Sequence, residues 1–325
     1  MKSSKIILLL SVFVATVVSA SPAESPPSFL LKWGSWGSAA GQFEFPTGLA
    51  TDSAGNVYVA DRWNHRVQVF ANNGAFIRQW GTDGTGPGQF GEPSGIAVSG
   101  SGVAYVVDYD IEKVQAFTLD GTYLNQWNGS LGAGVFRRPL GIAVDPAGDV
   151  YVTESQGNRV QKFSASGTFI TTWGSTGSAP GQFRNPVGIA TDADGKVYVA
   201  DELNGRIQKF LSDGTFITSW STPPMDAYYL ATDASDDVYL TSSAGHEVLM
   251  FSSDGALLTR WGSQGLGDGQ FRYPTGIALD AAGNVFVAGP DVFGGTGSDG
   301  RIQKFGPVPT VTTATSWGAI KARYR

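Results

Sequence analysis

The side chains able to do chemistry are few and unevenly spread. None of the 325 residues is cysteine, which removes a thiol nucleophile, a zinc–thiolate site and disulfides. Only His65 and His246 carry imidazoles, and a catalytic zinc takes about three protein ligands. No serine sits in a recognisable nucleophile context. What does recur is a carboxylate. Asp61, Asp108, Glu154 and Asp201 are each followed five residues later by a base, Arg66, Lys113, Arg159 and Arg206. Two chemistries fit: a ring of oxygen ligands for calcium, or a structural ion pair within each copy. A further copy bears on the choice. There the acid position holds Ser242 and the base position Glu247, and joint departure is the behaviour of a pair. No metal or cofactor is expected, with calcium the one ion the recurring acids leave open.

The elements that must position these groups come from one unit copied six times. Trp33, Trp80, Trp127, Trp173, Trp220 and Trp261 lie 47, 47, 46, 47 and 41 residues apart. The alanines Ala50, Ala97, Ala143, Ala190, Ala231 and Ala278 give 47, 46, 47, 41 and 47. Two independent markers share one period, which marks a repeat architecture. Within a unit, residues 46–51 and 57–60 read as apolar strands, and residues 66–70 and 76–80 as alternating ones, joined by turns rich in Gly and Asn. The expected fold is all-β, a six-bladed β-propeller of four-stranded antiparallel blades. The last unit has three strands, ending at Phe305, while residues 29–33 form an orphan fourth strand, so the N-terminal strand is expected to close the last blade. The 44 glycines then serve hairpin turns, linkers between blades and positions along the inner strands.

Asp61-Arg-Trp-Asn-His-Arg66-Val-Gln-Val-Phe70, preceded by Gly-Asn-Val-Tyr-Val-Ala, resembles the NHL repeat. The resemblance recurs at residues 154–163 and 201–210 and covers about 275 residues. NHL propellers include enzymes, RNA binders, sensors and scaffolds, so the resemblance implies the fold more than a role. Similar amidating lyases imply several histidines around zinc. Similar lactonases imply a central calcium held by carboxylates and amides, where this chain has Thr47-Gly48, Ser94-Gly95, Leu140-Gly141, Val187-Gly188 and Thr275-Gly276. RNA-binding members imply a basic face. Here the net charge is −6 and the loops mix acids with bases, so nucleic acid is not an expected partner.

Function is expected where the copies disagree, because stacking needs only the shared positions. The linker into unit 5 is short, Trp220 to Asp226. Unit 5 then carries Tyr228-Tyr229 where other units have a small or aliphatic residue followed by glycine. Unit 6 has seven extra residues between Gly289 and Arg301. The candidate ligand-binding set is Tyr228, Tyr229, His246, Glu247, Asp291 and Phe293, at a groove between units 5 and 6. The expected role is a non-catalytic binding scaffold for a protein, peptide or glycan; the alternative is a hydrolase or lyase with a metal or carboxylate site at the channel mouth. Residues 1–20, with Lys2 and Lys5 before the apolar run Ile6 to Val18 and then Ser19-Ala20, read as a signal peptide. Residues 21–28 read as a linker, 29–306 as the propeller and 307–325 as a flexible basic tail. The mature chain is then exported, to a periplasmic, extracellular or surface location, with no transmembrane segment.

Overall fold

The structure, a computed structural model, describes residues 24–130, 134–223, 227–289 and 300–309. Six four-stranded antiparallel sheets form the ring of a β-propeller. Blade 1 comprises Pro46–Thr51, Val57–Asp61, Arg66–Phe70 and Phe76–Trp80, from the inner strand outwards. Blades 2 to 5 repeat this order with inner strands Pro93–Val98, Pro139–Val144, Pro186–Thr191 and Ala227–Thr232. In blade 6, Ile277–Leu279, Val285–Gly289 and Arg301–Phe305 come from the end of the chain, and the outer strand is Phe29–Trp33. Trp33 pairs with Ile302 and Phe29 with Phe305. The N-terminal strand therefore closes the ring, as its orphan pattern implies. The closure also reaches past residues 29–306: Gly306 N–H donates to Ser28 O, Glu24 N–H donates to Leu258 O of blade 5, and Val308 is buried.

Second and third strands are buried along almost their whole length because a neighbouring blade covers each face. Outer strands are the exposed ones, alternating in blades 3, 4 and 6, with Leu30, Ile77, Leu124, Ile170 and Ile217 facing solvent. The tryptophan ending each outer strand packs on the next blade. Trp80 lies 5.8 Å from Phe117, Trp127 5.8 Å from Phe163, and Trp33 of blade 6 5.8 Å from Phe70 of blade 1. Aromatic pairs at this distance add roughly 0.5–1.5 kcal/mol beyond area burial, so each blade boundary has its own rivet. The rivet also explains the hairpin glycine. Gly74 has φ +82, and a Cβ there would sit 3.1 Å from the Trp33 ring.

The inner-strand glycines answer a different constraint. A Cβ on Gly276 would lie 1.9 Å from Thr47 O of the next blade, on Gly141 2.3 Å from Val187 O, and on Gly188 2.5 Å from Tyr228 O. Adjacent inner strands approach too closely for any side chain at that position. In blade 5 it is occupied by Tyr229. Its neighbour, blade 6, has regular pairing in its inner strand only from Ile277, against six-residue inner strands in the other blades. The seam at which glycine is lost is thus the seam at which the inner strand is shortened.

Candidate functional site

By strand direction, the loop between second and third strands and the linker between blades share one face. On this face the recurring acid and base form the core of a clamp. Asp61 is fully buried; one carboxylate oxygen accepts from Arg66 Nε at 2.8 Å and from Gln68 Nε2 at 3.0 Å, and the other accepts Glu44 N–H at 2.8 Å. The rest of the Arg66 guanidinium donates to the carbonyls of Ser38, Ala39 and Gln42 in the preceding linker. Blade 4 repeats this with Asp201, Arg206 and Gln208 on the carbonyls of Ser178, Ala179 and Gln182. Blade 3 pairs Glu154 with Arg159 at 2.6 Å. Burial pushes the Asp61 carboxyl up, and the bonds from Arg66 and Glu44 N–H pull against that rise.

Three blades depart from the pattern. In blade 2 the expected Asp108–Lys113 pair takes a different form. Asp108 accepts from the backbone N–H groups of Gly91, Glu92, Asp110 and Ile111, while Lys113 Nζ donates to Thr85 O and Gln126 Oε1. An ammonium has no planar fork with which to serve carboxylate and linker at once. In blade 5 Glu247 turns outward to Arg260, 2.8 Å away. Blade 6 retains the base without the acid: Arg301 aligns with Gly289 and still donates to the carbonyls of Leu266, Gly267 and Gln270. The arginine's constant task is therefore to hold the linker, and the acid is its support. Blade 5, whose linker is short, has lost arginine, acid and glutamine together.

Tyr229 crosses the central channel. Its hydroxyl donates to Ser94 O of blade 2, the blade opposite, at 2.8 Å, and its ring is buried with Leu140, Val187 and Ile277. Burial holds its phenol well above the ordinary tyrosine range. Tyr228 packs on it at 5.4 Å and is half-buried at the rim. His246 and Glu247 lie two strands further out, each with its own partner. His246 adopts φ +57, Nδ1 accepts Tyr273 N–H at 3.2 Å, and its ring sits 4.9 Å from the Tyr273 ring. The equivalent Asn158 accepts Asn185 N–H, and Glu112 accepts Arg138 N–H. His246 thus occupies a position whose side chain latches blades 1, 2, 3 and 5 to the next linker, while blades 4 and 6 have Gly205 and Gly300 there. Asp291 and Phe293 lie outside the described residues. The structure joins Tyr228 with Tyr229 and separates both from His246 and Glu247. Among the described residues no three His, Asp or Glu side chains converge as metal ligands.

The loop face instead carries a strip that the sequence reading did not contain. Trp36 and Trp63 meet edge to face at 6.4 Å, and Trp63 stacks on Phe45 at 4.8 Å. The Arg62 guanidinium lies over both Phe45 and Tyr109, at 5.7 and 4.7 Å. Arg138 covers Tyr109 as well, also at 4.7 Å. Glu92 fixes Arg62 through Nε at 2.9 Å, and Asp110 holds Arg138 at 3.4 Å. Trp36 and Trp63 remain 38% and 42% exposed, an unusual state for residues that normally bury most of their surface. The available signal was the residue after each recurring acid, Arg62 and Tyr109, whose side chains point toward one another from adjacent blades.

Comparison with known proteins matches the NHL repeat at residues 43–70, 136–163 and 183–210. Each match runs from a buried linker phenylalanine to the phenylalanine ending a third strand, in the three blades that keep acid, arginine and glutamine together. The chain is an NHL-repeat six-bladed propeller. Over 46 residues it is 50% identical to the human E3 ubiquitin-protein ligase TRIM32, a stretch that is 14% of this chain and only 7% of TRIM32. Among solved structures it is similar to virginiamycin B lyase from Staphylococcus aureus with quinupristin, at 17% identity and TM-score 0.57 over 84% of this chain and 82% of that one. It is also similar to a gluconolactonase from Xanthomonas campestris, at 16% identity and TM-score 0.61 over 91% and 99%. At such identities the likeness concerns the fold alone. No helix among the described residues is long and apolar enough to cross a membrane.

Proposed function

We propose that this NHL propeller is an exported, non-catalytic binding scaffold that presents its loop face to a protein, peptide or glycan. The observation that carries the reading is the strip Trp36–Trp63–Phe45–Arg62–Tyr109–Arg138. Tryptophan, tyrosine and arginine are the residue types that dominate binding energy at interfaces. Here they are held rigid by mutual stacking, so little side-chain entropy remains to be lost on association. The channel beside the strip is filled by Tyr229, which favours a surface contact over a substrate entering the ring. The signal-peptide pattern of residues 1–20 supports export, and a chain without cysteine has no disulfides to form there.

The test is a peptide and glycan array probed with the mature protein and with a Trp63→Ala, Arg138→Ala variant. Both side chains are partly exposed, so the fold should tolerate their loss. The expected outcome is at least one ligand bound about thirty-fold more weakly by the variant, the size of a hot-spot loss of about 2 kcal/mol, with the melting temperature unchanged. Array ligands bound equally by both proteins would contradict the proposal.

A further inference from the structure

Blade 2 holds a cavity that the repeat does not require. Its volume is about 510 Å³, and its walls are Thr85, Ile111, Lys113, Gln126, Trp127 and Asn128. Two substitutions against the neighbouring copies line it. Where blade 1 has Asn64, donating to Gly37 O, blade 2 has Ile111, whose side chain has no donor. Where blade 1 has Arg66, reaching three linker carbonyls, blade 2 has Lys113. A single ammonium in place of a guanidinium leaves space beside the linker, whose carbonyls of Gly86 and Gln89 accept instead from Gln89 N–H and Gln115 Nε2. Nothing in blade stacking asks for this, since blades 1 and 4 are built with the filled version.

The chemistry of the walls is mixed. Lys113 is more than nine-tenths buried, and its Nζ carries three donors, two of which go to Thr85 O and Gln126 Oε1. With its oxygen so engaged, the Gln126 amide keeps its N–H groups as donors. Thr85 adds a hydroxyl, Asn128 a second amide, and Trp127 with Ile111 an apolar wall. The charge is balanced locally: Asp108 is the direct strand partner of Lys113. This is not the charge of an anion site. Many weak donors and acceptors around an apolar face match an uncharged ring that carries hydroxyls on its edge and C–H groups on its face.

We infer that the blade 2 cavity is a sugar-binding pocket that takes one neutral pyranose ring, with its C–H groups against Ile111 and the part of Trp127 that blade 3 leaves uncovered, and the hydroxyls on Lys113, Gln126 and Asn128. The inference rests on the reading of the loop face as a binding face, and it assigns the glycan class to a pocket set apart from the aromatic strip.

The mature protein is titrated calorimetrically with the methyl β-glycosides of glucose, galactose and N-acetylglucosamine. At least one should bind in the range of about 1 mM. An Ile111→Asn, Lys113→Arg variant rebuilds the blade 1 arrangement, so it fills the pocket with residues the fold already accommodates. It should bind that glycoside at least tenfold more weakly with an unlowered melting temperature, while Trp63→Ala on the strip binds it as the parent does. Three outcomes overturn the inference: none of the glycosides binds, the rebuilt variant binds unchanged, or Trp63→Ala loses binding that the rebuilt variant keeps. The first, alongside array ligands still lost on Trp63→Ala, Arg138→Ala, would remove the pocket and leave the scaffold reading standing.

Discussion

Tyr229 stands where five other blades have glycine, and the consequence follows from distances. Side chains at the other five positions would meet the backbone of the next blade, so the tyrosine can be housed only by loosening the seam with blade 6 and extending across the channel. Its hydroxyl is then buried and satisfied by Ser94 O. Tyr229→Phe should keep the plug and remove the bond, leaving an acceptor without its partner. The expected cost is about 1 kcal/mol in chemical denaturation, with the parent's cooperativity; an unchanged midpoint would show that the cross-channel bond does not form. The double tyrosine was legible as an exception to the repeat, but its direction was not. Nothing in a local sequence window says that residue 229 meets residue 94.

The turns between first and second strands show how one element is reused with different chemistry. Asp52 of blade 1 accepts Ala54 N–H, Asn56 N–H, Asn56 Nδ2 and the Tyr58 hydroxyl. Asp280 of blade 6 is likewise bonded by Asn284 Nδ2 at 2.7 Å. Blade 5 places Asp237 at the asparagine position, facing Asp233, Asp236 and Glu24. Burial first, and then these carboxylates, push its own carboxyl up from 3.8 to about 7. The folded pKa is above the unfolded one, so ionisation is penalised in the fold. Stability is gained as pH falls from about 7 toward 4 and lost as it rises through the same window. Asp237→Asn removes the penalty and supplies the donor that blades 1 and 6 use. The variant should melt higher than the parent at pH 8, with the difference closing by about pH 4. Equal melting temperatures at both pH values would contradict the assignment. The acid–base pairs of the loop face were readable because two residues recur at a fixed offset. The linker carbonyls they hold were not, because a backbone acceptor has no letter in the sequence. For a related reason the strip escaped notice: Arg62, Tyr109 and Arg138 belong to three different blades.

At the scale of the molecule, the period of 46 or 47 residues and the orphan strand together contained the ring and its closure. Closure depends on Phe29–Trp33 pairing with Arg301–Phe305 and on Trp33 packing against Phe70 and Phe286. Deleting residues 21–34 should lower the melting temperature by about 10 °C or more, since it removes a whole strand of blade 6 together with the partly buried Trp33 that packs on blade 1; an unchanged melting curve would mean that another segment closes the ring. The departures from the period now divide by task. Short linker, lost clamp and Tyr229 belong to one structural accommodation in blade 5. The exposed aromatic strip of blades 1 to 3 and the cavity of blade 2 are unused by the fold. The central claim, that the loop face is the binding face, is tested most directly by amide hydrogen exchange with and without the strongest array ligand. Slowed exchange should be confined to residues 36–45, 62–65 and 108–112, on the loop face. Protection on the opposite turns, around 52–56 and 233–237, with the loop face unchanged would contradict it.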